Sequence, residues 1–233
     1  MKTLLLVLVM ILTSLTTLEA QQAKLFLSEA VARELPKYIS DTQVALEEGT
    51  QDDVKLLFKT LVEKKLVGTY MDDFKMRKLS KKETTFSAFE KPTLLLTYSS
   101  WNINSKGEIE ALNELARIHA DQVDFIVLYW DKRSIAKEQS KSFSSDINVL
   151  YVDEMDNTYT KVVKTLKHSL GLPLLFSMDS DEKIVQIERR LHHRFSQSEE
   201  DSYLENFEVL NSNVEQLLFH EEQITGLPVV SQD

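Results

Sequence analysis

The run Thr93 to Tyr98 (TLLLTY) is continuously apolar and is closed off by Pro92 before it and by Ser99-Ser100 after it. An apolar run this short between turn residues predicts a strand buried on both faces, and such a strand requires a sheet covered by helices on either side. A helix is expected directly after it. Ile109, Leu112, Leu115 and Ala116 recur at helical spacing. Ser105 and Glu108 have the spacing of a capping box, in which the serine oxygen accepts from the Glu108 amide and the Glu108 carboxylate from the Ser105 amide. Strand, loop and helix in this order form the repeating unit of an open α/β sheet, where ligands sit beyond the carboxyl ends of the strands and before helix N-termini. In this chain that place is Ser99 to Ser105, and it holds neither a thiol nor an imidazole.

The alternation continues along the chain. Val123 to Trp130 and Ile147 to Val152 read as further strands, separated by the polar segment Asp131 to Ser145 with a short helix. Thr158 to Leu170 reads as a helix that ends at Gly171-Leu172-Pro173. Leu174 to Met178 and Lys183 to Ile187 then form a hairpin across Asp179-Ser180-Asp181. Elements in this order predict a parallel sheet with right-handed crossovers. Ahead of the first central strand, Phe74, Met76 and Leu79 precede a turn at Ser80-Lys81-Lys82, followed by Thr84-Thr85-Phe86 and Phe89-Glu90-Lys91-Pro92. Before these, Ala23 to Leu66 reads as two helices. Thr50 with Asp53 opens the second, with Val54, Leu57, Phe58, Leu61 and Val62 on one face. The first, Leu25 to Tyr38, is expected to kink or end at Pro36, and Glu47 to Gln51 is the turn between them. A two-helix hairpin cannot bury its stripe alone, so it packs on the following domain or on a partner. Ser196 to Glu222 reads as a helix with Tyr203, Phe207, Leu210, Val214, Leu217 and Leu218 on one side, closing the second face of the sheet, and Gly226 to Asp233 as a frayed end.

The central stretch resembles the thioredoxin-like family, and within it the envelope oxidoreductases related to cytochrome-maturation thioredoxins and to peroxiredoxins. Those proteins carry W-C-x-P-C-R-x-E-x-P-x-L after the first central strand, and this chain has Trp101-Asn102-Ile103-Asn104-Ser105-Lys106-Gly107-Glu108-Ile109-Glu110-Ala111-Leu112. The tryptophan, the basic residue, the glutamate and the leucine match. Asn102 stands where the attacking cysteine would be and Ser105 where the resolving one would be, while Asn104 and Glu110 replace the prolines. Asp73-Phe74 and Phe89-Glu90-Lys91-Pro92 match the family's entry hairpin, with Lys81-Lys82 in place of its turn glycine. Leu172-Pro173 matches the bond that is cis in the family and faces the redox pair. The resemblance covers Gly68 to Leu191. It implies a thioredoxin-like three-layer α/β fold with a central mixed sheet, extended here by an N-terminal helical hairpin and a C-terminal helix. It also implies a cleft made by Trp101, Asn102, Ser105, Leu172 and Pro173, which in active relatives holds an extended peptide beside the sulfur.

Composition removes several function classes. With no cysteine at all, the chain has no thiolate for disulfide exchange and none for a metal site. A net charge of -10 speaks against nucleic acid and against anionic membrane surfaces as partners. Lys2, the apolar run Leu4 to Leu15 and Leu18-Glu19-Ala20 suit a cleaved secretory signal, because the run is shorter than the roughly 20 apolar residues of a membrane span. The expected organisation is a signal peptide at 1–20, a helical extension at 21–67, a thioredoxin-like domain at 68–191, and a C-terminal helix and tail at 192–233. Export to the periplasm, or secretion, follows from the signal.

The remaining chemical candidates are weak. Ser105 needs a base in reach to act as a nucleophile, and His119 lies on the order of 21 Å along the same helix; capping is its expected role. His192-His193 point to opposite faces if extended and are flanked by Arg189, Arg190 and Arg194, which favours a solvated basic turn over a metal site. Glu108 and Glu110 do not face each other on a helix. Trp101 serves either as a ligand platform or as a plug over the sheet edge. No catalytic residue, cofactor or metal is implied. The reading is a non-catalytic binding or assembly protein whose partner is an envelope protein or an extended peptide. The alternatives are a thioredoxin-like oxidoreductase or a structural subunit bound through its N-terminal helices.

Overall fold

A computed structural model describes residues 24–102, 107–153, 155, 160–190 and 197–226. Seven strands form one mixed sheet: β1 (Met76–Lys78), β2 (Glu83–Thr84), β3 (Thr93–Tyr98), β4 (Asp124–Tyr129), β5 (Ile147–Tyr151), β6 (Leu174–Met178) and β7 (Ile184–Arg189). Their order across the sheet is β2-β1-β5-β4-β3-β6-β7. β3, β4 and β5 run parallel, with Leu95 opposite Ile126 and Val127 opposite Val149. The hairpins β1–β2 and β6–β7 add antiparallel strands at the two sides. Helices cover both faces, and the arrangement is a thioredoxin-like α/β fold.

Strand alternation divides the core in two, because successive side chains point to opposite faces. Leu95, Ile126, Leu128 and Trp130 face α1 (Leu27–Glu48), α2 (Gln51–Leu61), the π-helical turn Val62–Leu66, α5 (Thr160–Val163) and the π-helical stretch Lys164–Ser169 that continues it. Leu94, Leu96, Tyr98, Phe125 and Val127 face α3 (Glu108–His119) and α6 (Glu199–Thr225), with Ala136 of α4 (Arg133–Gln139) at the margin. Every residue of β3 is buried, as a strand between two helical layers requires. The stripe of α6 is the expected one: Leu210, Val214 and Leu217 are fully buried, and Tyr203, Phe207 and Leu218 pack around them. The N-terminal hairpin packs on the sheet of its own chain, where Leu27, Ala30, Val31, Phe58 and Leu61 join the first core.

Local chemistry accounts for most element ends. Thr50 accepts from the Asp53 amide while the Asp53 carboxylate answers the Thr50 amide at 2.7 Å, so α2 starts with the expected reciprocal cap. The β1–β2 turn places Lys81 at φ 72, so a lysine carries the left-handed conformation that a glycine would adopt without cost. The Leu172–Pro173 bond is cis.

Pro36 does not end the first helix, which runs from Leu27 to Glu48 with the proline inside and so passes the expected limit at Tyr38. Packing holds both sides of it: Leu27, Ala30 and Val31 are buried before the proline, Leu35 and Tyr38 rest on the core around it, and Asp72 caps the start through the Ser28 amide at 2.8 Å. That tertiary support outweighs one lost helical bond. α3 starts at Glu108 with Gly107 as its N-cap, and the buried Glu108 carboxylate is bound to Arg190, while the Ser105 half of the expected capping box is not among the described residues. The signal segment, Ser105 and His192-His193 lie outside the described residues.

Candidate functional site

β3 delivers the chain to the carboxyl end of the sheet, where hydrogen bonds pin residues 99–102. The Ser99 amide donates to Asn102 Oδ1 at 2.7 Å, and the Asn102 amide donates back to the Ser99 carbonyl at 2.8 Å. Ser100 is held through its amide and its hydroxyl by the Asp131 carboxylate, both at 2.7 Å. Trp101 lies between these anchors and is 64% exposed, so it is not a plug over the sheet edge. On the neighbouring strand Leu174 pairs with Thr97, which sets Pro173 beside the end of β3. The structure thus brings the Trp101–Asn102 turn and the cis-proline turn to one end of the sheet. The side chains of Leu172 and Pro173 are buried there, Leu172 within the first core.

Beneath this end lies a buried polar network absent from the sequence-based expectations. Glu108 and Arg190 are 3% and 6% exposed, and Arg190 Nε donates to Glu108 Oε1 at 3.2 Å. A second guanidinium nitrogen donates to Asn206 Oδ1 at 2.5 Å, and Asn206 is itself held by the Ser202 carbonyl at 2.7 Å. The Tyr98 hydroxyl lies beside Glu108; burial, and then the Glu108 charge, push its ionisation well above the ordinary tyrosine range. Tyr129 stacks on Tyr98 with ring centroids 5.9 Å apart and is raised likewise, by burial and then by the charges of Asp131 and Glu108. Gly107 is required at the entry to α3: its φ is +74, and an added Cβ would lie 2.5 Å from the Tyr203 amide nitrogen.

Two of the arginines that the sequence placed in a solvated basic turn around His192-His193 are held by the fold, while the histidines lie outside the described residues. Arg190 is buried against a carboxylate, and Arg189 is half-buried with its guanidinium 3.9 Å above the Phe58 ring, so neither is a solvated charge. The only available signal was position, since both arginines end a strand whose alternation sends them into opposite layers. The chain has no cysteine and so no thiol here, and both carboxylates described at this end are engaged, Asp131 with Ser100 and Glu108 with Arg190.

No family model matches the chain, and no curated protein matches it in sequence. Solved structures are similar in fold. A thio-disulfide isomerase from Thermus thermophilus is 18% identical, with 61% of this chain and 95% of that one covered and a TM-score of 0.43. A putative thiol:disulfide interchange protein DsbE from Chlorobium tepidum is 15% identical, with coverages of 65% and 97% and a TM-score of 0.47. An exposed lipoprotein thioredoxin from Streptococcus pneumoniae is 16% identical, with coverages of 59% and 99% and a TM-score of 0.41. At such scores the fold rests on the strand order, the two helical layers and the cis-proline turn of this chain.

Proposed function

We propose that the protein is a non-catalytic thioredoxin-fold binding or assembly factor of the cell envelope, which holds an extended peptide or an envelope protein at the carboxyl end of β3. The observation that carries this reading is Trp101, a large aromatic side chain left 64% exposed on a loop that Asn102 and Asp131 hold rigid from either side. An exposed indole on a fixed turn presents a binding face at low entropic cost. Asn102 completes the contact surface, and the buried Leu172 and Pro173 shape its floor. Export follows from the opening Lys2, Leu4 to Leu15 and Leu18-Glu19-Ala20. No helix among the described residues is long and apolar enough to cross a membrane.

The oxidoreductase alternative fails on chemistry, since disulfide exchange needs a thiolate and this chain has no cysteine. The structural-subunit alternative loses part of its basis, because Leu27, Ala30, Val31, Phe58 and Leu61 of the N-terminal hairpin pack on its own sheet, although Ile39, Val44, Leu46 and Leu56 stay exposed. The test compares the protein from Gln21 onward with its Trp101→Ala variant, each immobilised and exposed to an extract of its own envelope. Partners retained by the first and lost by the second support the reading. Identical retained sets, or turnover of a disulfide substrate above the buffer rate, refute it.

A further inference from the structure

The sheet ends at β7, whose outer edge is only partly used. At its start Ile184 exchanges both backbone bonds with the segment that follows the π-helical turn: the Gly68 amide donates to its carbonyl at 2.8 Å, and its own amide donates to Thr69 at 2.8 Å. Tyr70 extends this pairing by an antiparallel bridge to Lys183. At the far end the Arg190 amide donates to the Pro173 carbonyl at 3.0 Å, so residue 190 faces β6. Backbone alternation then turns the amides and carbonyls of Ile187 and Arg189 outward. The irregularity opposite Ser177 and Met178 accounts for the change of phase after Ile184. No backbone hydrogen bond from another described residue reaches these two outward-facing positions.

The open edge is the floor of a slot of about 1120 Å³, walled on one side by Val54, Phe58 and Val62 and on the other by Val209 and Gln216 of α6. Two atoms of the floor, Gln186 Oε1 and Arg189 Nε, are buried without a hydrogen-bond partner among the described residues. Neither can turn away freely. The Gln186 amide nitrogen is bound to Glu188 at 2.8 Å, and the Arg189 guanidinium is held by the Leu170 carbonyl at 2.8 Å and by the face of Phe58. The outward amides and carbonyls of Ile187 and Arg189 are what ask for neutral donors and acceptors at strand spacing. The slot does not ask for charge, because the neighbouring lysines are answered by Lys59–Glu63 at 3.7 Å and Lys55–Asp52 at 2.8 Å.

We propose that this slot takes an extended, uncharged segment of a partner protein, rich in β-branched residues, as an eighth strand on β7. The added strand continues the ladder that Gly68 to Tyr70 begin on the same edge, with its backbone on Ile187 and Arg189 and alternate side chains against Val54 and Val209. A second copy of the chain does not fit, because each β7 is recessed between helices and two recessed edges cannot approach to strand spacing. This surface lies along the sheet edge and is separate from the Trp101 turn.

The test pans a displayed library of random twelve-residue peptides on the purified protein and measures the selected peptides on Val54→Lys, Val209→Lys and Trp101→Ala variants. Val54 and Val209 are half-exposed, so the lysines enter the slot without emptying the core, and circular dichroism checks that the fold is kept. The expected result is selection of peptides with β-branched residues at alternate positions. Their dissociation constants rise at least tenfold with either lysine and stay unchanged with Trp101→Ala. Methylating alternate peptide amides abolishes binding, and methylating the intervening ones does not. The proposal is overturned by a library that yields no binder, by peptides indifferent to both lysines or to amide methylation, or by self-association of the unmodified protein that Val54→Lys abolishes. Loss through Trp101→Ala alone assigns the peptides to the other surface and equally overturns it.

Discussion

Replacing Arg190 by methionine tests whether the buried network holds the end of the sheet together. The substitution removes the guanidinium from a pair whose side chains are 3% and 4% exposed, strips the Glu108 carboxylate of its cationic partner and takes one donor from Asn206 Oδ1. Breaking a buried ion pair from one side costs about 3 to 5 kcal/mol, because the remaining charge is neither solvated nor compensated. For a chain of 233 residues that corresponds to a fall in melting temperature on the order of 6 to 20 °C. The assay is urea unfolding followed by far-ultraviolet circular dichroism, with the slope checked so that a change in midpoint reports stability. Adding Glu108→Gln to Arg190→Met removes the stranded charge while keeping an acceptor for Tyr98. The double variant is expected to regain about 2 kcal/mol, a large part of the cost assigned to an uncompensated charge. A single variant that loses less than about 1 kcal/mol, the ordinary cost of one neutral hydrogen bond, would refute the reasoning. So would a double variant no more stable than the single.

Gly107→Ala is expected to cost about 1 to 3 kcal/mol by the same unfolding measurement, since the new methyl meets the Tyr203 backbone at a left-handed φ; a loss within experimental error removes Gly107 from the packing argument. Tyr98 and Tyr129 are expected to resist ionisation in the folded protein, so an alkaline titration at 295 nm should show two of the seven tyrosines lagging until unfolding. Because their folded values are raised, their contribution to stability is intact below the unfolded tyrosine value of about 10 and falls as pH rises beyond it. Stability that increases above that pH contradicts the assignment. Changing Asn102 and Ser105 together to cysteine should give two thiols that disappear together on mild oxidation within a monomer, if those positions match the family's redox pair; the Cα separation must then be about 4.4 to 6.8 Å. Thiols that stay free, or pair only between molecules, sever the link between this loop and the inherited cleft.

The sequence was most informative wherever structure is set by near neighbours. The apolar run Thr93 to Tyr98, the stripe of α6 and the Thr50–Asp53 cap all follow from residues within one or two turns of each other, and all appear as expected. Pro36 was misjudged because the local rule that prolines end helices was weighed without the packing of Leu27, Val31 and Leu35, which exists only after the hairpin docks on the sheet. Glu108 shows the same limit: local spacing paired it with Ser105, which lies outside the described residues, and gave no sign of Arg190, 82 residues away. Arg189 and Arg190 looked solvated as neighbours in a basic run, yet strand alternation sends one toward Phe58 and the other toward Glu108. The slot beside β7 has no sequence signature of its own, because α2, β7 and α6 each contribute only a few residues to it.

The two binding surfaces are not mechanically independent. Arg190 ends the strand whose residues 186–189 line the slot, and its guanidinium joins Glu108, the first residue of α3, to Asn206 on α6. Tyr98, which reaches the same carboxylate, is the last residue of β3 before the Trp101 turn. The network therefore sets the position of α6, one wall of the slot, and of the strand end that carries Trp101. A negative charge at the first turn of α3 also suits the helix dipole, which gives Glu108 a reason to occupy that end apart from its partner. A change at Arg190 is expected to disturb both surfaces together and cannot assign binding to either. Trp101→Ala and Val54→Lys act outside the network, one on an exposed ring and one on a half-exposed wall, and a ligand that separates those two variants identifies the surface it uses.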